Sequence, residues 1–497
     1  MRADRHARWY QDERDMTQAS DAAAKQVRIA TLLSIGSVGG SVLTQLLTPR
    51  VLQDRWGDAG YEWAIALQGI ASVVLVADAG IQAYLTRELA LLHDSPQAAK
   101  FRAVATAGLR GLASTGLVLT VLLSVAFAML VRAPTSIVAS RTLAAGVFAL
   151  VTVSLFTSLA CGGWATAVLV GSARYVRGHL EALVRNLVAG LSLPLLAYLG
   201  AGPVRALALY ACGLMVVDLA RFAGASRVLP RTTTDSPMSM REIMWQARGS
   251  FLLSLSGPVQ TGLQPAVAAQ LLAGTIAVGV PARTMGSAAR LLTNAVINAI
   301  WVPLARQVAP GRPNAQHAWR TASGRMATLQ LAAITFVMLV APIVTPLWLP
   351  NKHAAVMRVV PIFLLEQACY ICAAPSLLLL QSAGQFGRVA MVQLGGALVS
   401  LVLTIFLVPT YSALGFAIAS ALSTVLIVVP ASALLERAYV HTLGGSAGPV
   451  FGLRLLITLS TVGAVVVFSA RPLTGFCLAC ITTLASAAFS LRSSRER

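Results

Sequence analysis

The sequence predicts an all-α integral membrane protein of about fourteen transmembrane helices, built as two six-helix bundles followed by two additional C-terminal helices. Three observations carry this. Hydrophobic residues make up 57% of the 497, charged residues only 11%, and the mean hydropathy is +0.74, outside the range of soluble globular chains. Apolar runs long enough to cross a hydrocarbon core of about 30 Å as helices recur between short polar loops, without the period-2 alternation of a membrane barrel. With the N-terminus placed in the cytoplasm, 26 Lys and Arg residues fall on the cytoplasmic side and 9 opposite, with Arg110, Arg185 and Arg290 inside helices. That bias is the positive-inside pattern and puts both termini in the cytoplasm.

Residues 1–28 mix Arg, Asp and Glu with Trp9 and Tyr10 and lack an apolar targeting core, so they read as a retained cytoplasmic tail. Predicted spans at 29–48, 61–85, 104–131, 143–170, 180–199 and 204–224 make residues 29–224 the first bundle. The polar stretch 225–245, with Arg227, Arg231, Asp235, Pro237 and Arg241, is a cytoplasmic linker. Spans at 251–273, 277–304, 327–349, 356–381, 389–408 and 413–435 place the second bundle at 246–440. Spans at 450–469 and 473–491 put two further helices and a basic tail in 441–497. GYEWAIAL from Gly60 aligns with GVPARTMG from Gly279, an offset of 219, and LVGSARYVRGHL from Leu169 aligns with LLQSAGQFGRVA from Leu379, an offset near 210. Equivalent spans therefore lie six apart, as a duplication in one membrane orientation requires.

The 38 basic residues are scattered through loops rather than gathered in one module, so the net charge of +20 reports topology and not nucleic-acid binding. The six cysteines sit in predicted spans as small hydrophobes. This includes the pairs Cys369/Cys372 and Cys477/Cys480, so no disulfide framework or metal site is expected. No phosphate-binding loop, zinc-hydrolase motif or nucleotide fingerprint occurs. With outside loops of about a dozen residues at most, the sequence offers no scaffold for enzyme chemistry.

One helix carries the chemistry. Arg283, Ser287, Arg290, Asn294 and Asn298 fall within one arc of the eighth span, and guanidinium groups at bilayer depth must face a wet cavity. Arg keeps its charge and grips oxyanions with a planar fork, so Arg283 and Arg290 point to an anionic passenger. Asn294, Asn298, Gln260 and Gln264 offer amides to its polar groups. The first span repeats the one-sided polarity with Thr31, Ser34, Ser37, Ser41, Gln45 and Thr48, and the seventh with Ser256, Gln260 and Gln264. Asp78 reads two ways, as a proton or sodium site for ion coupling or as a structural pair. Glu181 and Arg185, at i and i+4, are expected to neutralise one another; Arg110 and Glu366 stay ambiguous.

The run PRVLQDRWGDAGYEWAIALQGIASVVLVADAGIQAYLTRELA, from Pro49 to Ala90, carries Arg50, Gly60 with Tyr61, Asp78, Gly80, and Arg87 with Glu88. It resembles the first-to-second-helix signature of polysaccharide (O-antigen, Wzx-type) flippases of the multidrug/oligosaccharidyl-lipid/polysaccharide (MOP) exporter superfamily. The repeat, the linker and the SARYVRGHL turn extend the resemblance over about residues 29–440. Relatives often carry an Asp-Arg pair in the seventh span where this chain has Gln264 and Pro265. The resemblance implies two bundles around a central cavity in the bacterial inner membrane. It also implies alternating access that moves an undecaprenyl-pyrophosphate-linked oligosaccharide outward, with membrane lipids, a glycan polymerase and other assembly proteins as partners; for such a passenger Arg283 and Arg290 are the expected phosphate partners and Asn294, Asn298, Gln260 and Gln264 the expected partners of sugar hydroxyls. A lipid II flippase, whose two extra helices form a lipid groove, is the main alternative. A drug or cation antiporter and a membrane glycan polymerase or ligase are weaker rivals.

Overall fold

The computed structural model describes residues 46–78, 81–93, 98–130, 141–172, 174–229, 241–242, 255–290, 315–442 and 448–495, with scattered positions between 29 and 44. All regular structure among them is helical. In order these are α1 (46–71, with the 3-10 extension Ser72–Asp78), α2 (Ile81–His93), α3 (Ala98–Leu130), α4 (Arg141–Thr157) and α5 (Trp164–Gly171). α6 (Tyr175–Tyr198) and α7 (Pro203–Ser226) complete the first half. The second half contains α8 (Gln264–Leu271), α9 (275–290), α10 (Ala315–Trp348), α11 (His353–Ser382), α12 (Phe386–Ser423) and α13 (Val429–Thr442). α14 (Gly448–Ala470) and α15 (Pro472–Arg495) follow.

Eight stretches among the described residues are long and apolar enough to cross a membrane, so this is a multi-pass membrane protein. The longest, Phe386–Thr442, folds back on itself: Ser412 takes a φ of 54°, and Gly396 comes to lie against Val428. Gly415 is required at this turn, because a Cβ there would sit 2.2 Å from the Leu407 carbonyl oxygen. The expected loop at 49–60 differs from the sequence reading: helical turns run through it, interrupted at Gly57, where φ is 68°.

The apolar core has a forked shape. One buried cluster joins Leu52, Tyr61, Ala64 and Leu67 of the first half to Ile276, Ala282, Phe363 and Phe416 of the second. Toward the opposite end it divides into a cluster confined to the first half, around Leu85, Trp164 and Leu169, and one confined to the second, around Trp319, Leu378 and Val440. Among the described residues, the buried apolar cluster shared by the two halves is the first of these.

The two turns aligned in the sequence share a hydrogen-bond pattern. After α5, Ser172 N–H bonds the Val168 carbonyl and Arg174 N–H the Leu169 carbonyl; after α11, Ala383 and Gln385 repeat this on Leu379 and Leu380. Each half also buries a carboxylate that accepts a hydrogen bond from a serine 60 residues earlier, Ser158 to Asp218 and Ser376 to Glu436. Their counter-charges differ. Asp218 pairs with Arg221 at 3.1 Å and Arg185 at 3.6 Å, both from its own half, whereas Glu436 pairs with Arg454 from the added helix α14. The expected Glu181–Arg185 pair does not form: Glu181 turns to Arg177 at 2.8 Å and Arg221 at 4.0 Å. A fully buried carboxylate on α7 outcompetes a part-buried i, i+4 neighbour because an unpaired buried charge is far more costly.

Candidate functional site

α9 presents Arg283, Ser287 and Arg290 to a cavity of about 330 Å³ inside the second half. Ser256, Gln260 and Thr261 line it from the segment before α8, Tyr370 from α11, Gln393 from α12, and Ser423 and Thr424 from the returning strand of the hairpin. Among the described residues no carboxylate lines it. The Arg290 guanidinium stacks over the Tyr370 ring, 4.2 Å from its centroid, with Nη2 3.2 Å from the hydroxyl. Arg283 Nη1 donates to the Gln260 carbonyl at 2.7 Å, and its guanidinium lies 5.7 Å from the centre of the Phe416 ring. A π-turn at Val259–Leu263 precedes α8. Pro265 has no N–H to give the Thr261 carbonyl, so the ladder slips there and backbone oxygen is exposed to the arginine.

Of the residues expected to bind sugar, Gln260 lines the cavity, while Gln264 is fully buried. Its amide nitrogen donates to Ser400 at 2.8 Å and Thr404 at 3.0 Å, and its oxygen lies 3.5 Å from Arg283. Gln264 therefore braces Arg283 and α12, a correction to the sequence reading. Its apolar surroundings leave an amide no choice but to take internal partners. Asn294, Asn298, the Asp78 side chain and most of the first-span stripe lie outside the described residues. Arg110 is exposed on α3, away from the cavity, and Arg185 is committed to Asp218 and Ser158.

At the packed end the two halves are latched by polar contacts. Glu62 of α1 accepts hydrogen bonds from the N–H groups of Gly274 (3.1 Å), Ile276 (3.1 Å) and Ala277 (3.2 Å), capping the N-terminus of α9. Gln53 donates to the Ala277 carbonyl at 3.0 Å, Arg50 to the Leu347 carbonyl at 2.6 Å, and Lys352 pairs with Asp58. Deeper in, Gly69 and Gly262 touch so closely that a Cβ on Gly69 would sit 2.4 Å from the Gly262 carbonyl oxygen. Sequence reasoning missed Tyr370 and Glu62. Nothing in periodicity marks Tyr370 among the apolar residues of α11, but a carboxylate one turn inside a span was a signal for Glu62.

No family model and no curated protein matches the sequence. Among solved structures, the chain is similar to the lipid II flippase MurJ in an inward closed conformation, with 11% identity, a TM-score of 0.64, and coverage of 93% of this chain and 99% of that one. It is similar to an inward-facing multidrug resistance MATE transporter of the MOP superfamily, with 15% identity, a TM-score of 0.56, and coverage of 86% and 100%. A MOP superfamily transporter from Pyrococcus furiosus, described by the reverse polarity of its binding pocket, matches at 14% identity and a TM-score of 0.54 over 85% and 97%. At these identities the likeness is one of fold, and the fold is that of MOP superfamily transporters.

Proposed function

We propose that this chain is an alternating-access flippase. It carries an undecaprenyl-pyrophosphate-linked oligosaccharide from the cytoplasmic to the periplasmic leaflet of the inner membrane, for O-antigen, capsule or exopolysaccharide assembly. The observation that carries the reading is the pair Arg283 and Arg290 in a cavity lined by hydroxyls and amides and, among the described residues, by no carboxylate. Fixed cations suit a diphosphate and repel the cationic cargo of a drug antiporter. The forked core supports a state packed at the periplasmic end and open toward the cytoplasm, with the 225–245 linker and both termini cytoplasmic. Membrane lipids and a glycan polymerase are proposed partners. Coupling to a proton or sodium ion is proposed to run through Asp78.

Lipid II is the second reading, favoured by the likeness to MurJ over 93% of the chain. Reconstitution into proteoliposomes tests both. An undecaprenyl-diphosphate N-acetylglucosamine in the inner leaflet should become accessible to an impermeant lectin at least tenfold faster than in protein-free vesicles. No acceleration overturns the reading, and full inhibition by excess lipid II selects the alternative.

The Glu62 cap is proposed to hold the periplasmic end shut, since a carboxylate at a helix N-terminus contributes about 1 kcal/mol. Glu62→Ala should then raise labelling of a single cysteine at Thr284 by an impermeant thiol reagent, in intact cells, about fivefold. Unchanged labelling would sink the gate.

A further inference from the structure

We propose that a second, uncharged pocket, on the face of α9 adjoining that of the arginines, holds a sugar ring of the passenger, with the Tyr61 hydroxyl as its buried hydrogen-bond partner. The inference rests on the flippase reading and moves the sugar site from the second half, where the sequence reading put it, to the seam with the first.

The pocket has a volume of about 320 Å³, within the range of small-ligand sites and too small for a whole oligosaccharide. Its polar lining is Thr44, Thr48, Gln68, Asn186, Tyr210 and Thr284, together with Tyr61, and among the described residues no charged side chain lines it. Tyr61 is fully buried, yet its hydroxyl has no hydrogen-bond partner among the described residues. A buried polar group without a partner costs about 1–3 kcal/mol, so it needs an explanation in function. The neighbouring carboxylate does not supply one, because Glu62 is spent on the α9 backbone.

The chemistry selects the occupant. An anion would seek the guanidiniums, a cation would find no carboxylate, and a peptide with ionised ends would find no counter-charge. A sugar ring brings hydroxyls that both donate and accept, matching threonine, amide and phenol partners, and apolar ring faces that suit Tyr61 and Tyr210. A polar pocket of this size is otherwise wet, and sugar hydroxyls replace water without leaving donors unmet. Thr284 follows Arg283 directly, so α9 places a phosphate group on one face and the first sugar on the adjoining one.

The test compares purified protein in nanodiscs binding undecaprenyl diphosphate and its N-acetylglucosaminyl form. The wild type should bind the glycosylated carrier about fivefold more tightly, about 1 kcal/mol. Tyr61→Phe and the volume-conserving Gln68→Met should each close most of that gap while leaving affinity for the bare carrier unchanged. Tyr61→Phe removes an orphan hydroxyl, so its melting temperature should hold or rise. A gap absent in the wild type, or preserved in both variants, overturns the proposal. Bare-carrier affinity unaffected by Arg290→Gln would count against the cationic cavity instead, which keeps the two failures apart.

Discussion

Arg290→Gln is expected to abolish surface glycan while the protein accumulates normally in the membrane. The substitution keeps hydrogen-bonding capacity and approximate length and removes only the charge that a diphosphate would feel. A hydrogen bond to a charged group contributes about 1.5–3 kcal/mol, so affinity for undecaprenyl diphosphate should fall by about 10- to 150-fold. Arg290→Lys keeps the charge but loses both the bidentate fork and the planar stack on Tyr370, and should retain partial export. Quantitative glycan staining together with immunoblotting of the membrane fraction checks this. Normal export by well-expressed Arg290→Gln protein would remove Arg290 from the site and leave Arg283 as the cation of the cavity.

The second large effect concerns stability. Arg454 and Glu436 are both buried, with Arg454 also donating to the Cys372 carbonyl at 3.1 Å and to Ser376 at 3.1 Å, and Trp319 donating to Glu436 at 3.1 Å. These contacts tie α14 to α10, α11 and α13. Removing one partner of a buried pair costs about 3–5 kcal/mol, a large share of the roughly 5–15 kcal/mol that holds a typical domain together. Arg454→Met should therefore deplete the protein from the membrane. Adding Glu436→Gln should restore much of it, because the amide still meets Trp319 and Ser376 and no charge is stranded. A chain ended before Gly448 should fail in the same way and be partly rescued by Glu436→Gln. Normal accumulation of the Arg454→Met protein would show that apolar packing alone holds the added helices.

Asp218 finds Arg185 and Arg221 within its own half, whereas Glu436 takes its counter-charge from the added helix α14. α14 is thereby a structural member of the second half.

The sequence by itself determined the class of molecule, an all-helical multi-pass membrane protein, because hydropathy over twenty residues is a local property that the bilayer reads directly. It also determined that α9 carries Arg283, Ser287 and Arg290 on one face, since helical periodicity is fixed once the helix is. Only the tertiary structure decided what those residues meet: Tyr370 beneath Arg290, the π-turn carbonyl at Arg283, and Gln264 turned inward to Ser400 and Thr404. It alone decided that Arg185 serves Asp218 rather than Glu181, and that Glu62 caps a helix 212 to 215 residues away. Partners of buried polar groups are chosen by the cost of leaving any of them unpaired in a low-dielectric interior. That cost is set by which helices pack together, and sequence spacing along one helix does not contain it.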